Sequence, residues 1–195
     1  PFVAPAYVPN HSFHIMAGHL MNEGGVKQVL SNQMTNPTFP VPLEMMKAQL
    51  TFEDFKSGDA FWLYDGVYIK TKPLNHPNGA CGYRVEYNGR VVCYVTDTEH
   101  IIGSYDQNIL ELIDYADLLI YDCSYDDEEF AAKIGWGHST WQEAIRLSEK
   151  ANVKQLALFH HDPSRTDDKL KAIEIRAQTL FPDCFAAKEG MMLTL

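Results

Sequence analysis

Tyr83–Val95, YRVEYNGRVVCYV, consists of two alternating runs hinged on Asn88-Gly89. Side chains of an extended chain point to opposite faces in turn, so each run offers one apolar face. Asn and Gly tolerate positive φ at both central positions of a two-residue turn, which makes this the clearest hairpin in the chain. Upstream, KAQLTFEDF and AFWLYDGVYIKTKPL alternate in the same way and are rich in β-branched and aromatic residues. Past Asp106 the period changes. NILELIDYA has helical spacing and DLLIYDCSY reads as a buried strand. STWQEAIRLSEKA reads as a helix, VKQLALFHH as a strand, DDKLKAIEIRAQTLF as a last helix and CFAAKEGMMLTL as a closing strand. Ser139 is the expected N-cap of the middle helix, with Gln142 completing a capping box. Hairpins in front and helix–strand alternation behind predict a layered α/β protein with a mixed sheet. Neither standard glycine-rich phosphate loop occurs, which argues against a Rossmann domain.

The remaining front reads as an irregular Pro-punctuated stretch, PFVAPAYVPN. A short strand SFHIMAG follows, then a helix in GGVKQVLSNQM and a loop TNPTFPVP. At 195 residues, with 46% hydrophobic and 22% charged residues, the chain has the composition of one globular domain spanning 1–195. A net charge of −10 repels polyanions, so a long nucleic acid is an unfavourable partner and a small anion remains acceptable where cations focus the field. No apolar run reaches the length of a membrane span and no signal-peptide pattern is present, which points to the cytoplasm. The four cysteines, Cys81, Cys93, Cys123 and Cys184, form no CxxC pair and read as buried free thiols.

Polar residues recur where apolar strands stop. His76 follows one such run, Asp97 lies in YVTDTEH, Asp122 ends LLIYD, and His160 and His161 end LALF. Strand ends are where a rigid sheet hands side chains to a site. Imidazole and carboxylate are the usual ligands of zinc and suit manganese and iron. A carboxylate readily bridges two ions, so Asp97 is the natural bridge, with His76 and His160 as terminal ligands, one for each ion. The other reading is that these histidines only hydrogen-bond nearby carbonyls. In GWGHSTW, Gly135 and Gly137 lead to a helix N-terminus, where free N–H groups and the helix field favour an anion. His138 there could bind a phosphate oxygen or protonate a leaving alkoxide; the alternative is a loop histidine packed beside Trp136 and Trp141.

LNHPNGACGYRVE, YVTDTEH, LLIYDCSY, GWGHSTW and LALFHHDP together resemble the metallo-β-lactamase fold. The resemblance is to its phosphodiesterase branch, which includes ribonuclease Z and the cyclic phosphodiesterase of phosphonate breakdown. It implies a four-layer αββα sandwich and two divalent metal ions, zinc or alternatively manganese or iron. It also implies metal ligation by His76, Asp97 and His160, with Asp97 bridging, and a catalytic role for His138 and Asp97 at a phosphodiester. By the same resemblance His160 points to the metals. His161 then lies on the other side, making a structural hydrogen bond with DPSRTD.

The family's His-x-His-x-Asp-His motif does not occur here, and the chain opens on Pro1 rather than Met. The expectation is an N-terminally truncated fold missing its first strands and first metal motif, with an incomplete dinuclear site. A sheet edge and apolar face would be left uncovered for a companion N-terminal fragment or for self-association into a homo-oligomer. His14 and His19, expected on opposite faces of one strand, do not rebuild the site. The expected activity is hydrolysis of a small, including cyclic, phosphodiester. The alternatives are a lactone, thioester or lactam hydrolase on the same fold, and a non-catalytic binding module.

Overall fold

The computed structural model describes residues 3–37 and 39–195; Pro1, Phe2 and Thr38, from the stretches expected to be irregular, lie outside the described residues. The chain divides into two compact units, Pro1–Ser57 and Gly58–Leu195.

The smaller unit holds α1 (Val3–Ala6), β1 (Ser12–Ala17), α2 (Val26–Gln33) and β2 (Gln49–Asp54). β1 and β2 pair in parallel, from Ser12 opposite Gln49 to Ala17 opposite Asp54. The N-terminal stretch is not wholly irregular: α1 is a helical turn, and the Ala6 carbonyl accepts the N–H groups of Lys47 and Ala48. Helix α2 starts at Gly25, which has no side chain to cap with, so Asp54 at the end of β2 accepts the Val26 N–H at 2.9 Å. A side chain at Gly25 would meet that carboxylate, because an added Cβ would lie 2.4 Å from Asp54 Oδ2. His14 pairs with Glu53 at 3.1 Å. His19 falls beyond the end of β1, so the alternation expected to separate it from His14 does not reach it.

The larger unit runs β3 (Ala60–Tyr64), β4 (Val67–Leu74), β5 (Ala80–Tyr87), β6 (Arg90–Val95), α3 (Gln107–Ile113), β7 (Leu118–Asp122) and α4 (Asp127–Phe130). It continues through α5 (Trp141–Lys150), β8 (Gln155–Phe159), α6 (Asp167–Leu180) and β9 (Cys184–Ala186). Its strands form one seven-stranded sheet in chain order, β3 to β9. β3 to β6 are antiparallel neighbours and β6 to β9 parallel ones, the mixed sheet that the change of rhythm predicts. Asn88 and Gly89 take φ of 48° and 74° in the β5–β6 turn. β3 ends the sheet and leaves Trp62 and Tyr64 exposed.

One face of this sheet carries the core. Cys93, Val95, Leu119, Tyr121, Leu156 and Leu158 pack against Ile109 and Leu112 of α3, Trp141 and Leu147 of α5, and Ile173 and Ala177 of α6. Gly82 fits beneath α3 only because it lacks a Cβ, which would sit 3.0 Å from Leu112. Arg84 closes the far end of α3, donating to the carbonyls of Leu112 and Asp114 at 2.9 and 2.8 Å. All four cysteines are buried free thiols. The closing strand is shorter than expected, since only Cys184–Ala186 pairs with β8. Among the described residues no helix is long and apolar enough to cross a membrane.

Helix α5 is capped by Thr140, not Ser139. The Thr140 Oγ1 accepts the Glu143 N–H at 3.1 Å and donates to Asp127 at 2.7 Å. Ser139 is fully buried one residue earlier, and Gln142 instead accepts the Asp127 N–H. Thr140→Ala should therefore cost about 1–2 kcal/mol, and Gln142→Ala less than about 0.5 kcal/mol as a surface change. Urea unfolding of both variants checks this, and equal losses would refute the assignment of the cap.

Candidate functional site

The strands place the polar residues together by direction alone. β4 is antiparallel to β5 and β5 to β6, so β4 runs the same way as β6, β7 and β8. All four strands end at one edge of the sheet. His76 follows β4, Asp97 follows β6, Asp122 closes β7, and His160 follows β8. His138 arrives at the same edge from the segment before α5. Asp97 and His160 have φ of 58° and 56°, a left-handed conformation that is strained for residues with a Cβ. That turn of the backbone stops the strand and swings each side chain across the edge.

Asp122 organises the cluster. It is fully buried. Its Oδ2 accepts the Asp97 N–H at 3.0 Å and lies 3.0 Å from His138 Nδ1. Its Oδ1 accepts the Ser124 N–H at 3.3 Å and the Ser139 N–H at 3.4 Å, and lies 2.9 Å from the Ser124 hydroxyl oxygen. The Ser124 Oγ also lies 2.7 Å from the His160 carbonyl and 3.3 Å from His160 Nδ1. A carboxylate only accepts, so Nδ1 of His138 carries its hydrogen toward Asp122. Nε2 makes no hydrogen bond among the described residues.

Around this anchor, His160 Nε2 lies 3.5 Å from Asp97 Oδ1, and His138 Nδ1 lies 4.0 Å from the same oxygen. The His76 and His138 rings meet edge-on with centroids 5.9 Å apart, and those of His138 and His160 are 4.9 Å apart. Donor atoms converge within 4.8 Å in two overlapping triads, His76–Asp97–His138 and Asp122–His138–His160. His76, Asp97, His138 and His160, the four residues singled out in the sequence, therefore meet in one cluster. His76 and His160 fall in different triads.

Two carboxylates outside the expected ligand and catalytic set support the cluster: Asp122, noted in sequence among the strand-end candidates, and Glu99, to which the sequence assigns no role. In sequence, Asp122 is only a carboxylate ending an apolar strand. Glu99, two residues past Asp97, accepts the N–H groups of Gly135 and Gly137 at 2.7 and 3.0 Å. Those two amides are thus engaged by a carboxylate, and at the helix N-terminus itself, where free N–H groups are expected, Thr140 holds the Glu143 N–H. The structural hydrogen bond expected of His161 does not form either. Apart from a loose contact with the Leu158 backbone, its buried ring nitrogens have no partner, and burial lowers its pKa.

The donor set suits a divalent cation: imidazole nitrogens and carboxylate oxygens converge, and the buried Nδ1 of His76 has no hydrogen-bond partner. Behind His138, His100 stacks on Phe130 with centroids 4.0 Å apart, and its Nδ1 lies 2.8 Å from Ser139 Oγ. The Tyr121 hydroxyl donates to the same oxygen.

Residues 15–161 match the family model described as the beta-lactamase superfamily domain. The chain belongs to that family. Ribonuclease Z of Sulfurisphaera tokodaii is 36% identical over 116 residues, covering 55% of this chain and 38% of that protein. The metallo-β-lactamase-fold protein YhfI from Bacillus subtilis superposes with a TM-score of 0.63 at 22% identity, covering 92% of this chain and 64% of that one. A diphosphatase from the PhnP family superposes with a TM-score of 0.65 at 16% identity, covering 99% of this chain and 64% of that one. The chain thus spans less than half of that ribonuclease Z and just under two thirds of each structural neighbour. It shares the metallo-β-lactamase fold with them.

Burial, followed by the charge of Arg146, holds the His100 imidazole down at about 4, against an ordinary value of 6.5. As pH falls, the unfolded chain takes up this proton first. The stability it contributes is complete above about pH 6.5 and is lost toward pH 4. Urea midpoints measured from pH 7.5 to 4.5 should fall less steeply for His100→Gln than for the native chain. Parallel slopes would remove His100 as a cause.

Proposed function

We propose that this chain carries the catalytic edge of a metal-dependent hydrolase acting on phosphodiesters. The observation that carries the reading is the pairing of His138 with buried Asp122 beside two convergent donor triads. His76, Asp97 and His160 would hold the metal, two divalent ions in the whole protein. Asp97 is the one of the three with two oxygens to share between them. Zinc suits these donors, as do manganese and iron. The chemistry such ions supply is Lewis acidity toward phosphoryl oxygen and a lower pKa for bound water.

The residues of the chain do the rest. Asp122 accepts from Nδ1 and so fixes the ring of His138, which leaves Nε2 as the nitrogen to give a proton to the leaving alkoxide. Ser124 joins the two segments: its N–H donates to Asp122 at 3.3 Å and its hydroxyl to the His160 carbonyl at 2.7 Å, which helps hold the His160 backbone in its strained turn. The names of the relatives, ribonuclease Z and a diphosphatase, support a phosphate substrate. A net charge of −10 supports a small phosphodiester over a long nucleic acid.

In the whole protein, Asp97→Ala should abolish hydrolysis of bis(p-nitrophenyl) phosphate in zinc or manganese. His138→Ala should lower turnover about 10²–10⁴-fold on alkyl leaving groups, the range of general-acid catalysis. It should cost much less on p-nitrophenolate, which leaves without a proton. Parallel ester, thioester and lactone assays separate hydrolases of other substrates. Turnover retained by Asp97→Ala would refute its role, and an equal His138→Ala loss on both leaving groups would refute the proton donor. No activity or metal binding in any assay would favour a binding module.

A further inference from the structure

We propose that Glu99 is a positioning residue that sets the separation of His76 and His138; this rests on the reading of the cluster as a cation site. Glu99 touches three of the segments that meet at the edge, those carrying Asp97, His76 and His138. It lies two residues beyond Asp97. Its backbone exchanges hydrogen bonds with Asn75, the neighbour of His76: the Glu99 N–H donates to the Asn75 carbonyl at 2.8 Å, and the Asn75 side-chain amide donates to the Glu99 carbonyl at 2.8 Å. Its side chain reaches the third segment, where a single oxygen, Oε2, accepts both the Gly135 and the Gly137 N–H.

The glycines show why that grip matters. Gly135 and Gly137 have φ of 89° and 85°, so the amides on either side of Trp136 converge on one acceptor. Gly137 is buried directly against the His76 ring. An added Cβ would lie 2.3 Å from His76 Cδ2 and 2.7 Å from Pro77 Cδ. The His76 ring therefore rests on bare backbone one residue before His138. The position of that backbone sets how far apart the two imidazoles stand. Trp136 between the two glycines is exposed, and its contacts, the Lys133 carbonyl and ammonium, lie in its own segment and do not tie that backbone across to the ends of β4 and β6. The Glu99 carboxylate does, through two charge-assisted hydrogen bonds.

The test uses Glu99→Ala and Glu99→Gln, the second keeping one acceptor oxygen in place. Two readouts are taken: Co²⁺ titration followed by its visible spectrum, and amide exchange at Gly135 and Gly137 by NMR. Glu99→Ala should weaken Co²⁺ binding about 10- to 100-fold, the usual cost of losing a residue that orients a metal ligand. It should also speed exchange at both glycines, with a native-like fold elsewhere in the spectrum, and Glu99→Gln should recover most of both. Native Co²⁺ affinity and slow glycine exchange in Glu99→Ala would overturn the proposal, as would Gln failing to rescue a well-folded protein. If the native chain binds no Co²⁺, the cation reading fails separately. Glycine exchange and the His76–His138 ring contact, seen as NMR cross-peaks, then decide whether Glu99 holds the segment.

Discussion

A carboxylate with no access to water needs a full set of donors, and Asp122 collects them from three of the segments that meet at the site edge. The Asp97, Ser124 and Ser139 amides and the His138 ring all converge on its two oxygens. Removing donors from a buried anion costs far more than exposed pairs contribute, so the strand ends and the segment before α5 are tied to one point. The strained turns at Asp97 and His160 persist because this network over-determines them.

The chemistry that the edge supports follows from that tie. Asp122 orients His138 through Nδ1, and Ser124 links the same carboxylate to the His160 backbone. A change at Asp122 therefore reaches both histidines at once. Glu99 is the counterpart on the other side, linking the His76 and His138 segments through backbone amides. Between the two carboxylates, one buried and one half-buried, the imidazoles are held by their surroundings and leave little of their own geometry to chance. The core beneath is apolar and closely packed, with α3, α5 and α6 covering one sheet face. It supplies the rigid platform from which these loops project.

Much of this is legible in the order of the amino acids. The hairpin around Asn88-Gly89, the switch to helix and strand after Asp106, and the position of polar residues at strand ends all follow from period and turn chemistry. His76, Asp97, His138 and His160 stand out by that position, and they do converge. The misses have local causes. Ser139 and Thr140 are both competent caps in sequence and both fully buried in the fold, and the engagement of the Ser139 hydroxyl by His100 and Tyr121 decides between them. The hold of Glu99 on the Gly135 and Gly137 amides is not legible in sequence because the partners lie 36 and 38 residues apart. His161 is expected to bond with its own neighbours, yet its buried ring nitrogens make no hydrogen bond with them.

Side-chain period and turn residues act within a few positions, so the linear order of residues is enough to specify the elements, their succession and the family to which the chain belongs. Which polar groups serve which is a matter of tertiary structure alone. A carboxylate such as Asp122 or Glu99 is defined by the donors around it, and those donors come from strands and loops far along the chain. Their convergence depends on sheet order and strand direction, which place four strand ends at one edge. No local pattern in 195 residues encodes that distance.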